Sequence, residues 1–385
     1  MKVFADLHVH IGRSGDGRAV KITGARNLTV ENIVYEAANR KGINMVGIVD
    51  AGSPGVQRDL EDLIQRGVLA PLSGGGLAYQ DTTLILGIEV ETGEKKGMGH
   101  FIAYLPDLER VKEFARELGG KVTNMQLSTQ RARLTARELW DLAAGFKGIV
   151  IPAHVFTPHK SLYGSCCDSL REVFRPDQRI HAIELGLSSD TELAMQIGEL
   201  KECAFLSNSD AHSLGKIGRE YNLLELTTGD FKNLQWALEN KHGCRIVANF
   251  GLDPKLGKYH RTYCEECLNV TEVPPPVYAC CKCGGSKVVM GVLDRITELA
   301  NPALGERPPY IHQVPLQFLP GVGSKTLDKL LANFGTEMNV LHFVDKEQLA
   351  KVTGPIIAGY IVASREGRLE ISAGGGGYYG KVVVD

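Results

Sequence analysis

His8 and His10 are the first side chains in the sequence able to do chemistry together. Val3, Ala5, Leu7 and Val9 alternate with Phe4, Asp6, His8 and His10, the period of a strand. The two imidazoles therefore project side by side, as two ligands of one metal ion must. A single His-x-His pair carries little weight. The weight comes from Asp50, Glu89, Glu91, His100, His154, Asp210 and His212, each at an end of an apolar run. Imidazole and carboxylate donors without sulfur suit zinc, manganese or iron. A set this large predicts two or three metals, Zn2+ or Mn2+, with one carboxylate bridging. Paired metals hydrolyse phosphate esters because they make hydroxide near neutral pH and offset the charge of the transition state.

A second set of ligands is of another kind. Five of the nine cysteines fall between 264 and 283, as Cys264-x2-Cys267 and, twelve residues later, Cys280-x2-Cys283. Four thiolates at this spacing suit one tetrahedral structural zinc, a closed site that folds and positions the chain without chemistry of its own. Cys281 lies inside the second knuckle and is an alternative to one of its neighbours. Clustering of this sort in a reducing compartment favours a metal over disulfides. Further on, Leu319-Pro320-Gly321-Val322-Gly323-Ser324-Lys325-Thr326 precedes a helical run over 327–334 and resembles a helix-hairpin-helix. Gly321 and Gly323 would turn the backbone tightly and aim amide N–H groups at a DNA phosphate, with Lys325 adding charge and no base being read. Residues 352–358 resemble a degenerate second copy.

The elements that must position the first set alternate strand and helix. Strand-like runs cover 2–10, 43–50, 83–91, 100–105, 148–154, 181–185, 203–210 and 245–250. Amphipathic stretches at helical spacing cover 30–41, 56–66, 135–144 and 191–201, with Thr29 and Asp190 as N-caps. Repeated strand–helix units imply an α/β fold with a mainly parallel sheet, open or closed into a barrel, whose ligands bind at the carboxyl ends of the strands. Near Asp253 the pattern stops. The expected domains are 1–252 for the barrel, 253–292 for the zinc ribbon and 293–385 for a helical C-terminal unit, with a final strand over 378–384.

With 43% hydrophobic and 23% charged residues in 385, the chain has the composition of a globular protein large enough for two or three domains. No apolar run is long enough to span a membrane, and the first residues read as a strand, so a cytoplasmic location and no membrane partner are expected. A net charge of −2 excludes a broadly basic nucleic-acid coat. Contact with nucleic acid must come from local patches or backbone amides.

Asp6-Leu7-His8-Val9-His10, Gly87-Ile88-Glu89, His100, Pro152-Ala153-His154 and Ser209-Asp210-Ala211-His212 resemble the four motifs of the PHP (polymerase and histidinol phosphatase) phosphoesterases. That resemblance implies a distorted PHP-type α/β barrel with a multinuclear centre. His8, His10, Glu89 and Asp210 would hold one metal, and Glu89, His100 and His154 a second. Asp50 and His212 fall where a third metal's ligands lie, and Asp210, Glu89 and His10 stand nearest the chemistry. The sequence departs from the family at Val49-Asp50-Ala51, where many members have Thr-Asp-His. It departs again at 12–17, where Asp16 is the one candidate for a further ligand.

A PHP barrel, a four-cysteine ribbon and a terminal helix-hairpin-helix, in that order, resemble the endonuclease Q family over nearly the whole chain. The resemblance implies a DNA repair endonuclease cutting 5′ of deaminated bases (uracil, hypoxanthine, xanthine) and at abasic sites by metal-activated hydroxide. Its partner would be DNA containing deaminated bases; replication or repair partner proteins are left open. Base reading by flipping would need a pocket beside the metals. Asn208, with a donor and an acceptor two residues before Asp210, is the candidate reader, beside backbone groups of residues 156–165. Two other classes compete: a small-molecule phosphatase of the histidinol-phosphatase type, for which the two extra modules have no use, and a non-catalytic DNA-binding scaffold, against which the near-complete ligand set argues.

Overall fold

The computed structural model describes residues 1–303 and 305–383. Lys2–Val9 forms the central strand of a ten-stranded mixed sheet. On one side it pairs in parallel with Met45–Ile48, which pairs in parallel with Thr82–Gly93. The sheet then continues antiparallel through Met98–Leu105 to Ile149–Pro152. On its other side lie Tyr221–Glu225, antiparallel to it, and Arg245–Gly251, antiparallel to Tyr221–Glu225. A separate parallel pair, Ala182–Glu184 with Ala204–Leu206, stands in the remaining gap. Val155 N–H to Glu184 C=O (2.9 Å) joins it to one edge. The Val9–Ala211 bridge and Asn249 to the Phe205 carbonyl (2.9 Å) join it to the other side. The result is a distorted α/β barrel.

The parallel pairing expected from the alternation is thus limited to the strands around Lys2–Val9, the small pair and a late strand, Tyr310–His312, against Arg245–Gly251. Residues 94–97 explain one departure. Four residues cannot make a parallel crossover, so Thr82–Gly93 and Met98–Leu105 must form a hairpin. That hairpin brings Glu89, Glu91 and His100 to one place.

The first strand departs from simple alternation in a way that makes the site. Its register against Met45–Ile48 shifts between Asp6 and Val9. Leu7 packs in the inner core with Ile85, Ile102, Tyr104 and Ile151, whereas Val9, two residues on, packs in the outer core with Ile48. A bulge at this point re-aims the side chains beyond it, which turns His8 and His10 toward the barrel mouth. The backbone groups that the bulge frees are recovered by side chains: Asn208 Oδ1 accepts from Leu7 N–H (3.0 Å) and Tyr104 donates to the Leu7 carbonyl (2.6 Å).

The ribbon is a short antiparallel pair, Tyr263–Cys264 with Val288–Val289. The chain is not set apart at residue 293. Tyr310–His312 returns to the barrel sheet parallel to Arg245–Gly251, and Arg295 on the helix Val292–Leu299 donates to the Tyr163 carbonyl (2.8 Å). Four helices follow: Ser324–Phe334, Glu337–His342, Lys346–Thr353 and Pro355–Arg365. A buried ion pair, Lys41 with Glu337 at 2.7 Å, fastens them to the barrel. The expected last strand is reduced to Lys381–Val382 paired with Ile371–Ser372, and Val384 lies outside the described residues. Among the described residues no helix is long and apolar enough to cross a membrane.

Gly47 lies against the bulge. A Cβ there would meet the Leu7 carbonyl oxygen at 2.4 Å and its carbon at 2.8 Å. Gly47→Ala is therefore expected to cost about 1–3 kcal/mol in chemical denaturation and to loosen metal binding with it. A variant as stable as the parent would show that the bulge yields freely.

Candidate metal centre

Six side chains from five strand ends or the loops after them converge at the barrel mouth. His8 lies in the bulge and His10 beyond it, Glu89 is in the long strand, His100 is in its hairpin partner, and His154 and Asp210 lie in the loops after Ile149–Pro152 and Ala204–Leu206. His154 and Asp210 both have left-handed backbones, with φ of 32° and 45°. For residues other than glycine this costs energy and is kept where surrounding structure demands it, commonly at functional sites. Arg219 holds the second of these turns by donating to the Ser209 carbonyl (2.7 Å) and the Asp210 carbonyl (3.4 Å).

Distances divide the cluster into two sets sharing one carboxylate. In the first, His8 Nε2 lies 3.4 Å from His10 Nε2, and Asp210 Oδ1 is 3.6 and 3.5 Å from those two nitrogens. In the second, Glu89 Oε1 lies 3.3 Å from His100 Nδ1 and 3.7 Å from His154 Nε2. Glu89 also reaches the first set, at 3.6 Å from His8 Nε2 and 3.5 Å from His10 Nε2. Ligands about 2.0–2.1 Å from a tetrahedral metal are separated by roughly 3.4 Å, so these atoms are spaced as the ligands of metal ions would be, in two sets that share Glu89.

The group fits the site. Glu89 Oε1 is buried, has no hydrogen-bond partner and faces three ring nitrogens, an arrangement a cation reconciles. Charge agrees. Burial opposes the protonated form of His8, yet the carboxylates of Glu184, Asp210 and Glu89 raise it to about 10. Burial likewise opposes protonation of His100, and Glu89 lifts it to about 9. Burial works against ionisation of Asp210 and Glu89, but the neighbouring cationic groups hold both well below the usual carboxylate range. The cluster demands positive charge among its carboxylates, and metal ions supply it with the imidazoles neutral.

The outer ring nitrogens are held from behind. Glu184 accepts from His8 Nδ1 (2.9 Å), Asp50 faces His10 Nδ1 (3.2 Å) and Glu91 faces His100 Nε2 (3.3 Å). Such carboxylate–histidine pairs fix the tautomer and aim the other nitrogen at the metal. Asp50 is thereby placed differently from the expectation of a third-metal ligand. Its oxygens are taken by His10, by Ile11 N–H (2.6 Å) and by the Ser128 hydroxyl. His212 does reach the mouth, with Nε2 3.3 Å from Asp210 Oδ1 and Nδ1 on the Thr23 hydroxyl (2.9 Å).

A cavity of about 370 Å3 opens beside His154, Asp210 and His212, walled by Gly186, Leu187, Ser188, Lys258, Tyr259 and Tyr379. Asn208 touches this cavity but is not free to read a ligand. Its Oδ1 serves Leu7 and Asn222, and its Nδ2 donates to Glu184 Oε1 (2.7 Å). From the 156–165 loop, Thr157 lines the cavity, while Phe156 and Tyr163 are buried and stack on each other at 5.5 Å. Arg137 donates to the Val173 carbonyl (2.7 Å) and does not face the cavity.

Glu184, Lys21 and Tyr379 were not singled out in the sequence. Glu184 ends the strand Ala182–Glu184, inside the expected 181–185 run, so the rule that found the other ligands reaches it. Lys21 lies in an irregular loop and Tyr379 in the tail, where no periodicity marks them. Tyr379 comes to the cavity because the tail packs on residues 255–256, and its hydroxyl accepts from Arg219 (2.8 Å) under Lys258 at 4.7 Å from the ring.

The four ribbon sulfurs of Cys264, Cys267, Cys280 and Cys283 form a third cluster. Two of their separations, 3.7 Å for Cys264–Cys283 and 3.4 Å for Cys267–Cys280, approach the roughly 3.8 Å edge of a tetrahedron with metal–sulfur bonds of about 2.3 Å. Cys281 turns away, toward Asn269 and Thr271. At the C-terminal motif, Gly321 has φ of 80°, Gly323 has no atom within 4 Å of a Cβ position, and Lys325 is exposed. These are the properties of a backbone that another molecule can approach.

A barrel with a carboxylate-bridged histidine cluster at its mouth defines a metal-dependent hydrolase. The chain is 32% identical to PfuEndoQ, a lesion-specific endonuclease from Pyrococcus furiosus, at a TM-score of 0.85 over 100% of this chain and 96% of that one. It is equally similar, 32% at a TM-score of 0.84, to endonuclease Q in complex with a 27-mer duplex substrate with an abasic lesion at the active site. This second likeness covers 100% of this chain and 97% of the other. YqxK, an uncharacterized protein of Bacillus subtilis (strain 168), is 49% identical over 389 residues, 99% of each chain. No family model matches. The chain belongs to the endonuclease Q family.

Glu184→Gln replaces an acceptor with a donor behind His8 at nearly constant shape. Barrel metal affinity, measured by competition with a chelator, is expected to fall about 10- to 100-fold while the fold is kept. Unchanged affinity would mean that His8 is not aimed through Glu184.

Proposed function

We propose that this protein is a DNA repair endonuclease that hydrolyses one strand of a duplex beside a damaged nucleotide. The observation that carries the reading is the Glu89-bridged cluster opening on a cavity of about 370 Å3, in a chain that matches lesion-specific endonuclease Q from end to end. Metal ions held by His8, His10, Glu89, His100, His154 and Asp210 would acidify a water and offset phosphate charge. The protein's own residues then have distinct tasks. Glu89 links the two halves of the centre, Asp210 faces both the first set and the cavity, and the carboxylates of Glu184, Asp50 and Glu91 keep the rings in place. Lys216, Arg219 and Lys258 put positive charge on the cavity wall, where a nucleotide's phosphate would pass.

The substrates we infer are uracil, hypoxanthine and xanthine in DNA, and abasic sites, cut on the 5′ side. Uracil and hypoxanthine share a carbonyl and a ring N–H where cytosine and adenine carry an amino group. A flipped base entering the cavity would meet the backbone of Gly186, Leu187 and Ser188, which offers both donors and acceptors. A normal base would leave buried groups unpaired and be rejected. The ribbon's four thiolates suit one structural Zn2+, and Zn2+ or Mn2+ suits the barrel.

A nicking assay on duplexes carrying uracil, hypoxanthine, an abasic site or no lesion tests the reading. Cleavage confined to the damaged strands is expected. Asp210→Asn should keep the fold and lower it at least about a hundredfold. Equal cutting of undamaged DNA, or full activity in Asp210→Asn, would contradict it. Gly323→Asp meets no steric obstacle, so its effect is one of charge. It is expected to weaken binding to every duplex alike, by about tenfold at low salt, with metal content unchanged. An effect on one lesion alone would place this motif in the recognition pocket instead.

A further inference from the structure

Of the two groups expected to hold a third metal, Asp50 is committed to His10, Ile11 and Ser128, and His212 stands at the mouth against Asp210. Against the bridging carboxylate stands the ammonium of Lys21. Its Nζ is 3.3 Å from Glu89 Oε2 and donates to the Thr129 hydroxyl at 2.6 Å. That hydroxyl donates to the same Glu89 oxygen (2.6 Å) and lies 2.9 Å from the Ser128 hydroxyl, which contacts Asp50. The lysine is delivered by backbone geometry: Lys21 N–H donates to the Ile11 carbonyl (2.8 Å) and Val20 N–H to the Gly12 carbonyl (3.0 Å), one residue and two beyond His10. Its side chain is only 16% exposed. A buried lysine is rare unless paired, and this one is paired with a metal-ligand candidate.

We propose that Lys21 is a built-in third cation, a positioning residue that pins the outer oxygen of Glu89 and keeps the barrel centre at two metals. An ammonium is compact, carries one charge and donates up to three hydrogen bonds. Here it is a permanent neighbour of Glu89 that no chelator removes. It leaves Glu89 Oε1 free for His8, His100 and His154, and it occupies space beside Asp50 that a further ion would need. The inference rests on the reading of the barrel mouth as a metal centre.

Metal content per chain, measured by plasma emission on the full-length protein after equilibration with zinc and desalting, tests it together with single-turnover cleavage. The wild type is expected to carry three metals, two in the barrel and one in the ribbon. Lys21→Glu, which exchanges the cation for a ligand, is expected to carry a fourth. Lys21→Met should keep three metals, released by a chelator no faster than in the wild type, while cleavage slows by about 10- to 100-fold. A lysine of merely structural importance would lose metal and rate together. A fourth metal in the wild type would overturn the proposal, as would Lys21→Met with the wild-type rate or with metal lost. So would a folded Lys21→Glu that stays at three. If Lys21→Glu does not fold, Lys21→Met decides. A wild type holding the ribbon metal alone would instead remove the metal centre itself.

Discussion

Glu89 is the constraint on which the rest of the structure depends. Its carboxylate is buried among four imidazoles and an ammonium, with one oxygen toward His8, His100 and His154 and the other toward His10 and Lys21. In a low-dielectric site an unpaired carboxylate is costly, and so is a set of ring nitrogens turned on one another. Metal ions between them would resolve both problems. The features that shape the mouth serve that arrangement: the hairpin that presents Glu89 beside His100, the bulge that turns His8 and His10 inward, and the left-handed turns at His154 and Asp210.

The ligands are held by a ring of partners drawn from distant parts of the chain. Glu184 joins His8, Asn208 and the His154 backbone, so one carboxylate couples three elements. Asn208 in turn covers the amide that the bulge leaves free. Arg219 ties the Asp210 turn to Tyr379 near the C-terminus. The tail therefore takes part in walling the cavity, and the C-terminal helices are fixed to the same body through Lys41 and Glu337. A DNA phosphate docked at the Gly321–Gly323 turn, as proposed, would stand in a fixed geometric relation to the barrel mouth, which a freely tethered module would lack.

Much of this was legible in the sequence, for identifiable reasons. His8 and His10 stand out by strand alternation, Glu89, His154 and Asp210 because they lie at the end of apolar runs and His100 because it opens one, and the four cysteines because thiolate spacing is set by tetrahedral geometry. The layer in which a residue lies was not legible. Asp50 reaches the site but stands behind His10, because a carboxylate at a strand end can equally touch a metal or a ligand's far nitrogen. Asn208 was misread as a base reader because its environment is created by the bulge, and strict alternation of Leu7 with His8 hides that bulge. Parallel pairing was overestimated because helices between strands suggest crossovers even where the chain doubles back. Lys21 and Tyr379 sit in segments without period, where only three-dimensional proximity gives them meaning.

Anomalous diffraction from zinc-equilibrated crystals, recorded on both sides of the zinc absorption edge, tests the central claim most directly. The account requires two peaks at the barrel mouth with the Glu89 carboxylate in contact with both, one toward His8 and His10 and the other toward His100 and His154. A separate peak should lie among the four cysteines. A barrel mouth without peaks, or with a pair of peaks that Glu89 does not bridge, would contradict it.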